Sequence, residues 1–211
     1  TEIYTLSLHD ALPIYCRVFD IAGCGVYLTN GSAAVSCCEI RGVAGNGVYL
    51  GGGSPTLLQC RISRNRGIGV SASTSTLTLV GCRIEANDGI GLRASGNTTL
   101  TNCAVLNNDG YGIETSYTVL TMTNCTVAGN KIAIYTQFGA PSHVLKNCII
   151  SGFVNFSSAT VTHTCIQGGW SGAGNLNADP MLCADGRLRR GSEENNLNID
   201  AHLLKPPPEQ S

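Results

Sequence analysis

Residues 60–70 read CRISRNRGIGV, residues 82–92 read CRIEANDGIGL, residues 103–113 read CAVLNNDGYGI and residues 125–134 read CTVAGNKIAI. All four stretches begin with cysteine, place asparagine five residues later and then return to aliphatic residues. One structural unit is therefore repeated along the chain, and the length of the repeat decides which fold it builds.

Cysteine marks one position of the repeat over most of the 211-residue chain. The intervals between successive marker cysteines are 22, 22, 22, 21, 22, 23 and 17 residues. Such a period is typical of a solenoid, in which each repeat forms one coil and contacts only its neighbours. The marker positions are Cys16, Cys38, Cys60, Cys82, Cys103, Cys125, Cys148 and Cys165.

Each period contains three short segments in which apolar and polar residues alternate. One follows the cysteine, as at Cys60 and Ile62, a second contains Ile68 and Val70, and a third precedes the next cysteine. Alternation of this kind predicts β-strands, and no segment shows the period of a helix over ten residues. We predict an all-β fold, a single-stranded right-handed parallel β-helix with about 22 residues and three short strands per coil and about seven coils.

The repeated unit C-x-I-x-x-N-x-G-x-G-I/V resembles the right-handed parallel β-helix repeat family of bacterial secreted and cell-surface proteins, which share the fold of pectate lyases. The resemblance covers about residues 16–170. It implies a secreted or cell-surface protein, and a polysaccharide or cell-surface glycan as its partner. It also implies an alternative activity, that of a polysaccharide lyase or glycoside hydrolase.

Both ends of the chain depart from the repeat. Residues 1–14 resemble a translated sequencing adapter, so we expect residues 1–15 to be a non-native segment. We assign residues 16–170 to the β-helix and residues 171–204 to a loop-rich closing segment, whose hydrophobic residues, Leu182 among them, cover the open end of the rod. Residues 205–211 read as a disordered proline-rich tail.

Composition narrows the class of partner. The net charge is −1 and only 13% of the residues are charged, so no nucleic-acid partner is expected. No apolar run approaches the roughly 18 to 20 residues of a transmembrane helix. We expect a monomer that has no transmembrane segment. We expect no metal or cofactor either, and Ca²⁺ is the one ion that the sequence leaves as an alternative.

Equivalent residues of successive coils should stack into internal ladders. A cysteine at such a position behaves as a small buried hydrophobic residue, and parallel Cβ directions disfavour disulfide bonds between coils. Asparagine at the following turn can bond to amides above and below it. We predict structural ladders of Cys38, Cys60, Cys82, Cys103, Cys125 and Cys148, and of Asn65, Asn87, Asn108 and Asn130.

Two sets of glycines recur with the ladders. One set is expected to supply the positive φ of the turn, namely Gly67, Gly89 and Gly110. The other set is expected to point outward from the second strand and leave a bare strip, namely Gly47, Gly69, Gly91 and Gly112.

Outward residues of the second strand form the candidate ligand surface. Aromatic rings beside a bare glycine strip, with charged groups farther along, suit the faces and hydroxyls of a sugar chain. The alternative is that the tyrosines stack on one another and that the charged residues form an ion pair of little energetic value. The candidate ligand-binding residues are Tyr27, Tyr49, Arg93, Glu114 and Tyr135, in one row with Ser71.

Asp88 and Asp109 form a candidate catalytic pair. Carboxylates on adjacent coils would lie about 5 Å apart, which is the separation of the paired acids in retaining glycoside hydrolases. They could instead bind Ca²⁺, although two carboxylates supply few of the six or more oxygens that this ion prefers. Arg66 and Lys131 flank the pair, so a charge-balanced exposed turn is a third interpretation.

The nearly constant spacing leaves no long loops for catalytic groups, which favours a binding scaffold over an enzyme. The sequence therefore predicts an extracellular or cell-surface scaffold that binds glycans or adhesion partners along a lateral face. The alternatives are a polysaccharide lyase or glycoside hydrolase, and a structural spacer of a larger surface protein.

Overall fold

A computed structural model describes residues 13–29, 31–74, 76–138 and 142–189, which form a stack of parallel coils. Each complete coil carries three strands, one in each of three parallel sheets, and this confirms the predicted all-β solenoid and its period. Within these ranges no helix is long and apolar enough to cross a membrane. The predictions for residues 1–12 and 190–211 fall outside the described residues.

The strands are short because each coil turns three corners in about 22 residues. The first sheet contains β1 (Arg17–Phe19), β4 (Glu39–Arg41), β7 (Arg61–Ser63), β10 (Arg83–Glu85), β13 (Ala104–Leu106), β16 (Thr126–Ala128), β19 (Ile149–Ile150) and β21 (Cys165–Ile166). The second contains β2 (Val26–Leu28), β5 (Val48–Leu50), β8 (Val70–Ala72), β11 (Leu92–Ala94), β14 (Tyr111–Ser116) and β17 (Ile132–Gln137). The third contains β3 (Ala34–Ser36), β6 (Thr56–Leu58), β9 (Thr76–Val80), β12 (Asn97–Thr101), β15 (Leu120–Thr123), β18 (His143–Lys146) and β20 (Ala159–Thr162).

Among the described residues, six coils have a strand in every sheet. In the next coil only an isolated bridge between Val154 and Ile134 stands in the second sheet. At the other end Ile14 bridges Ser36, so residues 13–15 pair with the third sheet. The predicted number of about seven coils thus corresponds to six complete coils and partial coils at the ends.

The interior is filled by rows of aliphatic side chains. Ile40, Ile62 and Ile84 pair in register on neighbouring strands of the first sheet, and none of them is exposed to solvent. Paired strands lie about 4.8 Å apart, so each side chain packs directly on its equivalent in the next coil. Burial of one such side chain contributes about 1.5 to 3 kcal/mol, and the repetition of these rows stabilises the rod.

The six predicted ladder cysteines are all buried. The Cys60 thiol donates to the carbonyl of Leu58 (3.3 Å) and to that of Val35 in the preceding coil (3.3 Å). Burial raises the pKa of the Cys38 thiol to about 11 and that of the Cys125 thiol well above its ordinary value. All eleven cysteines are free thiols, and the six ladder thiols are shielded from solvent.

Cys165 does not continue this ladder, which corrects the sequence interpretation. It pairs in register with Ile149, and Thr164 occupies the ladder position beside Cys148. The Thr164 hydroxyl accepts a hydrogen bond from the Cys148 amide (3.2 Å) and donates one to the Thr162 carbonyl (3.0 Å). Each ladder thiol donates in the same way to the carbonyl two residues before it, as the Cys148 thiol does to Lys146. A hydroxyl can replace the thiol because it is of similar size and donates to the equivalent backbone carbonyl.

The asparagine ladder lies in the core at the corner after the first sheet. Asn65 and Asn87 are 0% and 1% exposed, and Asn65 Nδ2 donates to Asn87 Oδ1 (2.9 Å). The pattern continues from Asn87 to Asn108 (2.8 Å) and from Asn108 to Asn130 (2.9 Å). Each Oδ1 along this run also accepts a backbone N–H of the neighbouring coil, so the side chains supply partners that the turning backbone lacks.

The glycines after this ladder do not adopt positive φ, so that prediction is wrong. Positive φ occurs one residue before each ladder asparagine, at Arg64, Ala86, Asn107 and Gly129. A Cβ at Gly67 would lie 2.8 Å from the Gly45 carbonyl oxygen. Glycine is needed there because stacked turns approach closely.

The closing segment lies partly over the last coil and partly along the side of the rod. Trp170 packs against Phe156 near the end of the core (ring centroids 4.8 Å apart). Leu182 and Leu188 then form an antiparallel bridge in a hairpin whose tip, Gly186, covers Leu106 of the first sheet. Leu182 therefore lies beside the first sheet, and its expected place at the open end is wrong.

Candidate functional site

The predicted ligand residues form one outward column on the second sheet. Strand pairing aligns Tyr27 with Tyr49, and this register continues through Ser71 to Arg93. The neighbouring residues in each strand point into the core, as Val48 and Leu50 do beside Tyr49. We call this set the second-sheet column; it comprises Tyr27, Tyr49, Ser71, Arg93, Glu114 and Tyr135.

Each tyrosine of the column packs one ring face against another tyrosine. The rings of Tyr27 and Tyr49 lie 4.8 Å apart and 11° from parallel. At the other end Tyr135 packs against Tyr111, which lies outside the column, with ring centroids 4.7 Å apart and planes tilted by 32°. Stacking along the rod leaves ring edges and hydroxyls, more than ring faces, for a ligand that lies beside the sheet.

Arg93 and Glu114 form a close ion pair at the centre of the column. The Glu114 residue is 8% exposed, whereas 47% of the Arg93 side chain is exposed. The pair uses Arg93 Nε, and the guanidinium keeps outward N–H groups that can donate to a ligand. The predicted pairing is therefore present, and it leaves the column nearly neutral with one exposed cationic group.

The expected glycine strip beside the column is wrong. Gly47, Gly69, Gly91 and Gly112 are all buried. A Cβ at Gly91 would lie 2.6 Å from the Gly112 carbonyl oxygen and 2.7 Å from Asn108 Nδ2. These glycines make room for the asparagine ladder, so no bare strip is present for a sugar ring.

Ser71 nevertheless leaves a step in the column. It is the smallest member and lies between Tyr49 and Arg93, whose backbones are about 10 Å apart, two strand spacings. A six-membered ring placed over Ser71 would lie between the face of Tyr49 that Tyr27 leaves uncovered and the Arg93 guanidinium. The column is thus shaped by side-chain size and not by glycine.

Asp88 and Asp109 occupy equivalent positions of adjacent turns. Their backbone amides donate to the carbonyls of Asn65 and Asn87, 2.9 and 3.0 Å away, and both residues are exposed. Neither carboxylate forms an ion pair with Arg66 or Lys131 among the described residues, which does not support the charge-balanced turn. The approach of the two carboxylates to about 5 Å remains a prediction.

Calcium binding at this turn would need further ligands. In the described ranges, no group of three or more His, Cys, Asp or Glu residues is placed to hold a metal ion. Two exposed carboxylates supply at most four of the six to eight oxygens that Ca²⁺ takes. The remaining ligands would have to come from water or from a bound glycan.

The outward face of the first sheet is less open than that of the second. Glu85 lies 2.7 Å from Arg61 and 2.6 Å from Arg83, and the Arg83 guanidinium also donates to the Asp185 carbonyl of the hairpin (2.9 Å). Farther along, the hairpin covers Leu106. Sequence reasoning missed this cover, because nothing in the repeat points to a contact between residues so far apart in the chain.

His143 is a buried histidine beneath the end of the second-sheet column. Its Nδ1 accepts the Leu120 amide (3.1 Å), so the proton of the neutral ring is on Nε2, which donates to the Thr136 hydroxyl (3.0 Å). The residue is 0% exposed, and Phe156 packs edge-on against the ring. Burial lowers the pKa of His143 below its ordinary value.

We predict that the protein loses stability as the pH falls below about 6.5. The unfolded chain takes up a proton on this histidine in that range, whereas the folded chain resists it, so acid favours unfolding. Urea unfolding followed by circular dichroism between about pH 7 and pH 5 should show this slope. His143→Gln should flatten it, and His163→Gln, at an exposed site, should not. An unchanged slope in His143→Gln would show that other groups are responsible.

Comparison with known proteins agrees with this architecture. Residues 14–169 match a family model described as right handed beta helix region. The crystal structure of pectate lyase Pel9A is similar with a TM-score of 0.55 and 16% identity, over 91% of this chain and 60% of that chain. This chain therefore spans less than two thirds of that lyase, and at this identity the likeness concerns the fold alone.

Two further comparisons add no functional information. A trypsin-treated form of QnrB1, a plasmid-mediated fluoroquinolone resistance protein, matches with a TM-score of 0.32 and 16% identity, over 80% of this chain and 90% of that chain. No curated protein matches the sequence.

Proposed function

We propose that this chain, which belongs to the right-handed β-helix family, is a scaffold that binds glycans or other adhesion partners through the second-sheet column. The observation that supports this proposal is the unbroken register of six outward residues rich in hydroxyl, aromatic and guanidinium groups. Over five strand spacings the column is about 24 Å long, which suits an extended chain lying along the rod.

The chemistry of the column fits sugar hydroxyl groups. Tyr27, Tyr49 and Tyr135 supply hydroxyls that donate and accept, and Arg93 supplies donors. The step at Ser71 gives one ring a defined position between Tyr49 and Arg93. Affinity in this arrangement comes mainly from hydrogen bonds and from the one face of Tyr49 that Tyr27 leaves uncovered.

The proposed setting is outside the cell or at its surface, with the protein acting as a monomer. An oxidising compartment would normally pair exposed thiols. Here the six ladder cysteines are buried within the rod, where solvent does not reach their thiols. The cysteine-rich composition is thus compatible with secretion.

The test is retention on immobilised polygalacturonate and on a neutral β-glucan, with binding measured against salt and competing sugar. The unmutated chain should be retained by one of them. The double substitution Tyr49→Ala and Arg93→Ala should weaken binding at least about tenfold, equivalent to about 1.4 kcal/mol. Tyr117→Ala, at a 71% exposed tyrosine outside the column, should leave it unchanged.

The same incubation tests the two alternatives. New reducing or unsaturated sugar ends, lost in Asp88→Asn with Asp109→Asn, would support a polysaccharide lyase or glycoside hydrolase and contradict the scaffold. If neither polymer retains the chain, or Tyr117→Ala weakens retention as much as the column variant, the proposed site is wrong. Absence of both binding and cleavage would favour the structural spacer.

A further inference from the structure

The third sheet carries a regular array of threonines on its outward face. Thr56, Thr78, Thr99 and Thr121 stack in register on four consecutive strands, β6, β9, β12 and β15. A second column lies two residues farther along the same strands and consists of Leu58, Val80, Thr101 and Thr123. We call these eight residues the threonine face.

The residues between the two columns are buried. Leu57, Leu79, Leu100 and Met122 are each 0% exposed, so the alternating threonines point to solvent. In the part of the chain that the structure describes, none of the six threonine hydroxyls bonds to another protein group. An inward threonine of the same sheet behaves differently, since Thr98 Oγ1 donates to the Gly96 carbonyl (2.7 Å). The outward hydroxyls are therefore free to bond to a ligand.

The threonine face also lacks charge. The strands β6, β9, β12 and β15 contain no Lys, Arg, Asp or Glu. Charged groups would hold strongly oriented hydration shells, whereas a methyl and a hydroxyl on each threonine leave water free to order between them. The array ends where β18 places Val144 and Lys146 beside Thr121 and Thr123.

The spacing of the array resembles that of tetrahedrally bonded water. Threonines in one column repeat at about 4.8 Å, and the two columns are about 6.7 Å apart, two residues along a strand. Hydrogen bonds of about 2.75 Å in a tetrahedral network place second-neighbour oxygens about 4.5 Å apart and give a perpendicular repeat of about 7.3 Å. Both distances agree within about a tenth, which small side-chain rotations can absorb.

From this agreement we infer that the threonine face binds an ordered water lattice, that is, the surface of ice. The methyl groups hold a layer of water in place and the hydroxyls bond to it, so the layer is continuous with the crystal. This function uses the third sheet, and it is independent of glycan binding by the second-sheet column. The sequence does not single out this face, because threonine is common in strands of every kind.

The test is partition of the fluorescently labelled chain into a slowly growing ice hemisphere. The unmutated chain should enter the ice. The double substitution Thr99→Lys and Thr121→Lys should lower the fraction incorporated at least about tenfold. The matched control, Ser73→Lys with Ser95→Lys, also places two lysines on neighbouring coils, but at exposed positions next to the second sheet. It should partition like the unmutated chain, and thermal unfolding should show that both double variants fold.

The results of this experiment distinguish ice from a polysaccharide and from a second copy of the chain as the ligand of the threonine face. Exclusion of the unmutated chain from ice, to the same extent as the Thr99→Lys and Thr121→Lys variant, would overturn the inference. Equal loss in both double variants would do so as well. Binding to crystalline cellulose without entry into ice, or a dimer in sedimentation that the threonine substitutions dissociate, would assign the face to a polysaccharide or to a second copy of the chain.

Discussion

Replacing Asn87 by alanine should lower the free energy of unfolding by about 4 kcal/mol. Asn87 Oδ1 accepts the amide of Asn65 (3.1 Å) and its side-chain Nδ2 (2.9 Å). Asn87 Nδ2 donates to Asn108 Oδ1 (2.8 Å). Alanine removes these bonds and leaves buried donors and acceptors on both neighbouring coils without partners. Urea unfolding followed by circular dichroism measures the loss.

The control is Asn102→Gly, at an exposed asparagine with φ of 55° that accepts a bond from Asn124 Nδ2. Glycine keeps that backbone conformation, so the loss should be below about 1 kcal/mol. Equal losses in the two variants would show that the buried ladder contributes no more than an exposed one, contrary to its burial.

Replacing Gly91 by alanine should cost about 3 kcal/mol. The added Cβ would lie 2.6 Å from the Gly112 carbonyl oxygen and 2.8 Å from Val105 Cγ1. The closest atom is backbone of the next coil, which cannot move without shifting the strand pairing. The midpoint of urea unfolding should therefore fall, and Asn108 should lose part of its hydrogen bonding.

The matched variant is Gly23→Ala. A Cβ at Gly23 meets no atom within 4 Å, so this change should be neutral or stabilising by up to about 1 kcal/mol. If Gly91→Ala were as well tolerated as Gly23→Ala, the second-strand glycines would not be buried against the ladder. The original expectation of an outward glycine strip would then regain support.

The period was predictable because the same side chains solve the same packing problem in every coil. Cys60 and Asn65 mark positions that are buried and stacked. Their recurrence made it possible to predict the three sheets and to predict which side chains of the second-sheet column point outward. Tyr49 was correctly predicted to point outward, because side chains alternate along a strand and its neighbour Val48 points inward. These predictions depended only on local alternation and on repetition.

The errors arose where local alternation does not apply. Gly69 precedes β8 and belongs to the corner, so it is buried although alternation from Val70 would place it outside. Positive φ falls on Arg64, Ala86, Asn107 and Gly129, which share no residue type that would indicate it. The hairpin at Gly186 contacts Leu106 across a long stretch of chain, and no repeat encodes that contact.

The most direct test of the account is the distance between members of the second-sheet column. Spin labels attached through p-acetylphenylalanine avoid the eleven thiols and can be placed at Tyr27 with Arg93, and at Tyr27 with Tyr135. Three and five strand spacings predict backbone separations of about 14 Å and about 24 Å, a rise of about 4.8 Å per coil. Pulsed electron paramagnetic resonance distances that fail to increase from the first pair to the second would contradict the stacked column and the site built on it.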